Sequence, residues 1–371
     1  MNRPIIRSLI AVVALVFALA VVGQALSVCD YITPESRIAD LGIQGSFNWY
    51  DGPYADDRSR TVSASLLADF IGLRTSASFA QALEARGEIR GIDGDWAANL
   101  NGSGSLRTFF ADDVFGVGDL GFDLAGRTGL EIDLTAGVGT GRFRDVTPLA
   151  QAIQIQNELL DLGELLAPVA DQTLLDLAQI LGEVGPDDDE KVIRLVERLV
   201  ATDLVPGNDL GVRGLLAVEG LLESSGETRL CGHDMQARVG VAANVLPVFD
   251  LAATGILLAR YAAVPDPVSQ FKASAEAKVR LADLDRTRID SDLSYERRLP
   301  DGWTARADYR LLIDRQWSDP AETVIAHAFS GRLTTLIFGS VGLSLVGDAQ
   351  YRTGDEEITL LISLLLEADL Y

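Results

Sequence analysis

The feature that most constrains the fold is a strict alternation of side-chain type in the C-terminal third of the chain. From Phe271 to Leu281 every odd position is apolar and every even position is charged or serine, without exception over 11 residues. Successive side chains of an extended strand point to opposite faces, so this segment predicts a sheet with one apolar and one polar face. The even positions are Lys272, Ser274, Glu276, Lys278 and Arg280.

The same alternation recurs in neighbouring segments. Residues 288–296 and 303–314 repeat it, and the Pro-Asp-Gly turn at 300–302 predicts an antiparallel hairpin between them. Residues 130–138 show it again in the first half of the chain. The charged residues that we expect on the polar face are Glu131, Asp133, Lys272, Glu276, Asp290, Asp292, Arg306, Asp308 and Arg310.

Strand length separates a membrane barrel from a soluble sandwich, since both contain two-faced strands. The alternating segments run for 11 to 15 residues, whereas strands of globular sheets usually have about five or six residues. A tilted strand needs about 9 to 11 residues to cross a bilayer. Opposite charges also share the polar face, Lys272 with Glu276 and Arg306 with Asp308, as in a barrel interior. We therefore expect an all-β transmembrane barrel of antiparallel strands.

Turn positions predict the number of strands. They divide the chain into 14 strands, six before residue 146 and eight after residue 226, and closed barrels of this class have even numbers. Twelve strands is the alternative, because residues 324–351 can be divided in a second way. The two halves of the barrel would be residues 26–145 and 227–371.

An α-helical insertion at residues 146–226 separates the two halves. Its apolar residues recur at helical spacing from the Thr147-Pro148 pair onward, and proline suits a first helical turn. The pattern predicts four helices: 147–166, 171–183, one that starts in the acidic run 187–190, and one around 214–222.

Two interpretations of this insert remain open. It could bind a partner or plug the barrel, or it could be a self-contained bundle that caps the barrel. An even number of strands before the insert places it at the same end as both termini. We expect that end to be periplasmic; a strand count that is off by one would instead place the insert outside the cell.

The N-terminus has the pattern of a secretory signal peptide. The first residues carry the positive charges of Arg3 and Arg7. A nearly unbroken apolar run follows from Leu9 to Val22, and small residues then place a cleavage site after Ala25. These fourteen residues would rise about 21 Å as a helix, short of a hydrocarbon core of about 30 Å. We expect residues 1–25 to be removed on export.

The chain has two cysteines, Cys29 and Cys231. In an oxidising periplasm they could form a disulfide between the mature N-terminus and the second half of the chain. Two unpaired thiols are the alternative.

No pattern in the sequence identifies an enzyme or a cofactor site. His233 near Cys231 and Asp234 is weak evidence for a metal site, and nothing fixes a catalytic spacing around His327. The glycine-rich run at 137–142 ends an alternating strand and lacks the lysine of a phosphate-binding loop. We expect its glycines to allow curvature or close backbone approach. We predict no catalytic residues, cofactor or metal.

The signal peptide, the strands from 227 to 371 and the terminal Tyr371 together resemble bacterial outer-membrane β-barrel proteins. The resemblance implies residence in the outer membrane of a diderm bacterium after export. It also implies that the barrel-assembly machinery recognises the final strand, with Tyr371 as the assembly signal.

The net charge of the chain and the acidic residues of its polar strand faces predict a class of function. The formal net charge of −23 excludes nucleic acid as a partner, because binding to phosphates depends on basic residues. We expect a porin-like or structural barrel in contact with outer-membrane lipid, passing small polar solutes with a bias toward cations from acidic lumen residues. The alternative is a secreted or surface-attached soluble β-rich protein that binds a partner, periplasmic or external, through its helical insert.

Overall fold

The computed structural model describes most of the chain: residues 27–31, 36–51, 60–76, 78–92, 95–125, 129–183, 186–223, 228–245, 249–281, 286–299, 302–317, 322–338, 341–353 and 359–369. The signal peptide predicted at 1–25 and the assembly signal predicted at Tyr371 lie outside the described residues.

Fourteen strands are formed by the described residues, six before the helices and eight after them. They are β1 Ser36–Asp51, β2 Arg60–Thr75, β3 Phe79–Ile92, β4 Asp95–Phe109, β5 Val114–Ala125, β6 Gly129–Asp145, β7 Leu230–Asn244, β8 Asp250–Ala263, β9 Ser269–Arg280, β10 Arg286–Arg298, β11 Trp303–Gln316, β12 Glu322–Phe338, β13 Val341–Arg352 and β14 Thr359–Asp369.

These strands form one closed antiparallel barrel. Each strand pairs with its neighbours in sequence, and β1 pairs with β14 to close the sheet, with Gly42 opposite Asp369. The predicted fold class and the count of 14 strands are confirmed, and the alternative of 12 strands is not. The strands have 11 to 17 residues, enough for a tilted strand to cross a bilayer.

The wall of the barrel has an apolar outer face and a polar inner face. In β7, Met235 and Val239 are 53% and 63% exposed on the outer face, while Asp234 and Gln236 are buried on the inner face. This is the arrangement of a barrel surrounded by lipid. Other large apolar side chains exposed on the outer face include Leu120, Leu134, Val138, Leu251, Leu257 and Leu345.

The helices lie at one end of the barrel, which we call the insert end. Even-numbered strands run toward it and odd-numbered strands run away from it, because every neighbouring pair is antiparallel. The start of β1, the end of β14 and the connection from β6 to β7 therefore all lie at the insert end. An even number of strands before the insert predicts this shared end.

Glycines allow β6 and β7 to approach closely. A Cβ atom on Gly137 would lie 2.1 Å from the carbonyl oxygen of Ala237, and one on Gly240 would lie 2.1 Å from the carbonyl oxygen of Leu134. Real side chains do not tolerate such contacts, so both positions require glycine. The close backbone approach expected for the 137–142 run is present, and it extends to the partner strand.

Replacing Gly240 tests this close approach. Gly240→Ala is expected to lower the free energy of unfolding by at least about 2 kcal/mol or to prevent folding, because the added methyl group meets a backbone oxygen held in the strand ladder. Gly118→Ala is the matched control, since its Cβ would meet nothing within 4 Å. Urea unfolding in lipid vesicles, followed by heat-dependent gel mobility, measures both variants. Equal stability of the two would contradict the close approach.

The insert contains four α-helices: α1 Thr147–Asp161, α2 Asp171–Gly182, α3 Asp188–Val200 and α4 Val212–Glu223. Their facing sides form a hydrophobic core, with Leu149, Leu159, Leu177, Leu195 and Val218 completely buried. Among the described residues, no helix has the length and apolar character needed to span a membrane.

The first helix is shorter than the sequence predicted. Its apolar pattern continues to Leu166, but the helix ends at Asp161 because Gly163 adopts a left-handed conformation with φ of 74°. The backbone N–H of Glu164 then donates to the carbonyl oxygen of Leu159 at 2.9 Å, which closes the helix end. The prediction of a helix over 147–166 is wrong in its last five residues.

Ion pairs join α2 to α3 on the surface of the insert. Arg194 donates two hydrogen bonds to Glu183, at 2.5 and 2.9 Å, and Arg198 pairs with Asp176. The hydrogen bond from Arg194 holds the pKa of Glu183 below its ordinary value. Because these groups are largely solvated, we assign the stability of the insert mainly to its apolar core.

A disulfide joins Cys29 to Cys231, whose Cα atoms lie 5.3 Å apart. Val28 and Tyr31, on either side of Cys29 in the chain, are buried in the same hydrophobic core as the helices. The bridge therefore ties the segment at 27–31 to the start of β7 and holds it against the insert.

Removal of the disulfide is expected to loosen the insert and leave the barrel intact. The double variant Cys29→Ser, Cys231→Ser should lose about 2–5 kcal/mol of stability in the helical region, because the bridge restricts the unfolded chain. Limited proteolysis should release the insert faster, while heat-dependent gel mobility of the barrel persists, because closure between β1 and β14 does not use the bridge. Unchanged proteolysis of the insert would refute this role.

Candidate functional site

The inside of the barrel holds two adjoining cavities. The insert-end chamber, of about 380 Å³, is lined by residues near the ends of their strands, such as Thr75, Phe109 and Leu230. The mid-lumen chamber, of about 460 Å³, is lined by residues nearer the strand centres, such as Asp119 and Asp133. The two chambers share Ala82, Glu84, Ser105, Arg107, Arg260, Ser274 and Asp292. They therefore form one continuous space, which we take as the candidate site.

Most of the charged residues predicted for the polar face line these chambers. Lys272 lines the insert-end chamber, and five others line the mid-lumen chamber: Asp133, Glu276, Asp290, Asp292 and Arg310. The remaining predicted residues lie outside both linings. Arg306 and Asp308 pair with each other at 2.9 Å. Glu131 lies two residues before Asp133 on β6, on the same face of the strand.

A buried carboxylate is the centre of the charged network. Asp234 on β7 is fully buried, and it accepts from Arg107 on β4 at 2.8 Å and from Arg260 on β8 at 2.5 Å. Gln236 also donates to it, at 3.1 Å. Two guanidinium groups thus compensate one carboxylate that water does not reach.

The contact between Arg107 and Asp234 shows how strongly the wall curves. β4 and β7 are separated by two strands, β5 and β6, a path of about 14 Å along a sheet with normal strand spacing. Their side chains meet across the inside of the curved wall. The close approach of β6 and β7 at Gly137 and Gly240 lies within the same part of the wall.

Sequence reasoning did not identify Asp234 as a lumen residue. The sequence offered only weak evidence for a metal site at His233, Cys231 and Asp234. In the structure, Cys231 is in the disulfide and Asp234 pairs with arginines. His233 is exposed, on the face opposite Asp234. The alternation of Asp234, Gln236 and Arg238 with apolar neighbours in β7 was the signal that could have placed them.

Further ion pairs connect strands around the mid-lumen chamber. Arg238 donates to Asp119 at 2.9 Å and to Glu276 at 3.4 Å, and Lys278 lies 3.2 Å from Asp133. Asp290 accepts from Arg310 at 2.6 Å. Most of the lumen carboxylates therefore have a basic partner. This pairing weakens the sequence argument for a preference for cations.

Arginines lie over aromatic rings near the insert end. Arg142 lies 3.8 Å from the ring centre of Phe109, and Arg260 lies 5.5 Å from that of Phe143. A third arginine, Arg107, lies 5.3 Å from the ring of Phe115, which is completely buried. Such stacking holds a guanidinium group in place while leaving its edge able to donate.

The base of the insert is bonded to the inner side of the wall. Gln270 on β9 both accepts from the backbone N–H of Leu230 and donates to its carbonyl oxygen, each at 2.9 Å. Arg229 pairs with Glu296 on β10 at 3.0 Å. No residue within α1 to α4 lines either of the two chambers in the described part of the chain. This geometry favours a cap at the barrel mouth over a plug inside it.

The second histidine lies away from the lumen. The Nδ1 atom of His327 is 2.8 Å from the hydroxyl oxygen of Tyr309, and its ring centre is 6.3 Å from that of Tyr351. Tyr309 alternates along β11 with the lumen-facing Arg310, so this group lies on the outer face. We assign it to the aromatic surface of the wall.

No protein-family model and no curated protein matches the chain. A bacterial polysaccharide outer membrane secretin is 9% identical, with a TM-score of 0.32, over 90% of this chain and 97% of that one. A loop-deletion mutant of OmpT, an outer membrane protein of Vibrio cholerae, is 7% identical, with a TM-score of 0.32, over 91% of this chain and 100% of that one.

A mutant of the Rh. blastica porin is 11% identical, with a TM-score of 0.29, over 90% of this chain and 100% of that one. These proteins belong to the class that the sequence resembles, bacterial outer-membrane β-barrels. At such TM-scores the likeness carries no argument about function. The barrel assignment rests on the strand pairing described above.

Neutralising Asp234 tests its role in the lumen. Asp234→Asn is expected to lower the free energy of unfolding by about 3–5 kcal/mol, because Arg107 and Arg260 lose the fully buried carboxylate that pairs with both of them. Asp308→Asn is the matched control, since Asp308 pairs with Arg306 in a partly solvated position, and it should cost less than about 1 kcal/mol. Urea unfolding in lipid vesicles compares the two. Equal losses would show that Asp234 is not a structural centre.

Proposed function

We propose that this chain is an outer-membrane β-barrel that forms a porin-like channel for small polar solutes. The observation that carries the proposal is the pair of adjoining polar chambers inside a closed barrel, of about 380 and 460 Å³. Pores of this kind exclude solutes by width and by the charges that line them.

The outer face of the barrel supports a location in a membrane. Large apolar side chains such as Leu134, Val138 and Leu257 are more than half exposed on it, and a water-soluble protein rarely exposes apolar surface on this scale. Pairing of β1 with β14 also closes the sheet on itself, and closure suits hydrocarbon, where unpaired strand edges are costly.

We place the insert end in the periplasm. A signal peptide at 1–25 would export the chain, and the disulfide between Cys29 and Cys231 at the insert end suits an oxidising compartment. Tyr371 would act as the signal for the barrel-assembly machinery. In this placement the insert would meet its partner in the periplasm.

The lining of the mid-lumen chamber suggests weak selectivity for charge. Six acidic and five basic side chains line it, and most of the acidic groups are paired. A nearly balanced set of fixed charges attracts neither cations nor anions strongly. We therefore expect a general pathway for small polar solutes, with a slight preference for cations in its middle part.

The decisive experiment joins cell fractionation to planar-bilayer recording on the purified, folded protein. We expect recovery with outer membranes, extraction only with detergent, heat-dependent gel mobility, and stepwise conductance. Folded protein without conductance would remove the channel and leave the barrel. Release into buffer without detergent would instead support a soluble β-rich protein that acts through its insert.

Lys278 offers a test of the charge balance. Lys278→Gln leaves Asp133 without its partner in the mid-lumen chamber, so the ratio of potassium to chloride permeability should rise about twofold. Lys191→Gln, a control in α3 outside the chambers, should leave the ratio unchanged. The reversal potential in a potassium chloride gradient measures both variants. A fall in the ratio for Lys278→Gln would contradict the proposed lining.

A further inference from the structure

The insert-end chamber differs from the mid-lumen chamber in the chemistry of its walls. Three aromatic rings line it, those of Phe109, Phe143 and Tyr261. No aromatic residue lines the mid-lumen chamber in the described part of the chain. Its volume of about 380 Å³ falls within the range of small-molecule binding sites. The insert end of the lumen can therefore hold an apolar body that the middle cannot.

The same chamber carries a surplus of positive charge around Asp234. Arg107 and Arg260 both line the chamber and both pair with this one carboxylate. Among the described residues, neither arginine pairs with a second carboxylate. Asp234 is fully buried, whereas the side chain of Arg260 is 33% exposed. The positive charge that Asp234 does not compensate therefore faces the chamber.

The surplus is local, because the charges around the whole chamber balance. Four basic and three acidic side chains line it, and the buried Asp234 is a fourth acid. Asp145 accepts hydrogen bonds from the backbone N–H and the hydroxyl of Thr147, at 2.9 and 2.6 Å. Glu84 and Asp292 also line the mid-lumen chamber and so lie at the boundary between the two, and Asp292 lies 3.7 Å from Arg310 there. An anion would therefore meet its positive partner at Arg107 and Arg260, which share one carboxylate.

Arginine side chains lie beside aromatic rings in the wall of the chamber. One ligand could therefore place an anionic group on an arginine and an apolar group on a ring. Arg260 lies over Phe143 and Arg142 lies over Phe109. A guanidinium group is weakly hydrated, and its planar set of donors matches both oxygens of a carboxylate. A ligand with a carboxylate on a small ring would contact both elements of the wall.

We propose that the insert-end chamber binds small organic anions that carry an apolar body, such as aromatic monocarboxylates. The proposal names a solute class for the channel and so rests on the proposed function for its physiological role. Binding itself requires only the folded barrel. The two can therefore fail separately.

Calorimetric titration of the full-length exported protein in detergent tests the binding. Benzoate is the probe. Benzyl alcohol lacks the charge, acetate lacks the ring, and benzylamine reverses the charge. We expect benzoate to bind at least tenfold more tightly than each of the other three. Equal or weaker binding of benzoate than of benzylamine would overturn the proposal.

Two variants locate the site. Arg260→Gln should weaken benzoate binding at least tenfold, and Lys272→Gln, which leaves the pairs of Asp234 intact, should weaken it severalfold. The second variant keeps the test valid if loss of Arg260 prevents folding. Lys278→Gln is the control, since Lys278 and its partner Asp133 line only the mid-lumen chamber, and it should change binding less than twofold. Equal effects of all three variants would place the binding elsewhere.

Bilayer recording separates the two proposals. Benzoate that binds and also reduces the current supports both. Conductance with no binding and no block overturns the benzoate site and leaves the channel. Binding without any conductance retains the site and removes the channel.

Discussion

Hydrogen bonding between β1 and β14 is the constraint on which the rest of the structure depends. A sheet in hydrocarbon cannot leave its edge groups unpaired, because each unsatisfied group costs several kcal/mol. Among the described residues, the closing strands contain three residue pairs, from Gly42 opposite Asp369 to Gln44 opposite Glu367, whereas β1 and β2 pair along 16. Once this short contact closes the sheet, the two faces of every strand become an outside and an inside. The alternation in sequence then separates a lipid-facing surface from a lumen.

Curvature and charge in the lumen depend on each other. Gly137 and Gly240 let β6 and β7 approach more closely than side chains would allow. The curvature of the closed wall brings Arg107 on β4 within 2.8 Å of Asp234 on β7. Arg107 and Arg260, on β4 and β8, in turn connect Asp234 to strands on both sides of β7. Without these partners the buried carboxylate would be costly.

The part of this structure that the sequence predicts is the part that depends on local periodicity. Alternation with a period of two gives the strand faces and the strand number, and it places Asp290 and Arg310 on the same side of the sheet, where they pair. It does not give the centre of the charged network, because Arg107 and Asp234 are separated by two intervening strands and meet only through curvature. The end of α1 was missed for another reason: Gly163 ends a helix whose apolar pattern continues to Leu166. Gly163 was a local signal for the end of the helix, but the apolar pattern that continues to Leu166 led to a longer predicted helix.

The attachment of the insert determines how the barrel mouth can work. The base of the insert is not a free linker, because it is bonded to the barrel wall. The backbone of Leu230 forms two hydrogen bonds with Gln270 on β9, and Arg229 pairs with Glu296 on β10. Gln154 on α1 also donates to the carbonyl oxygen of Pro267, in the connection between β8 and β9, at 2.6 Å. A hinged lid would have to break these bonds, which lie between buried or partly buried groups, at every opening. A fixed frame at the mouth needs no such step.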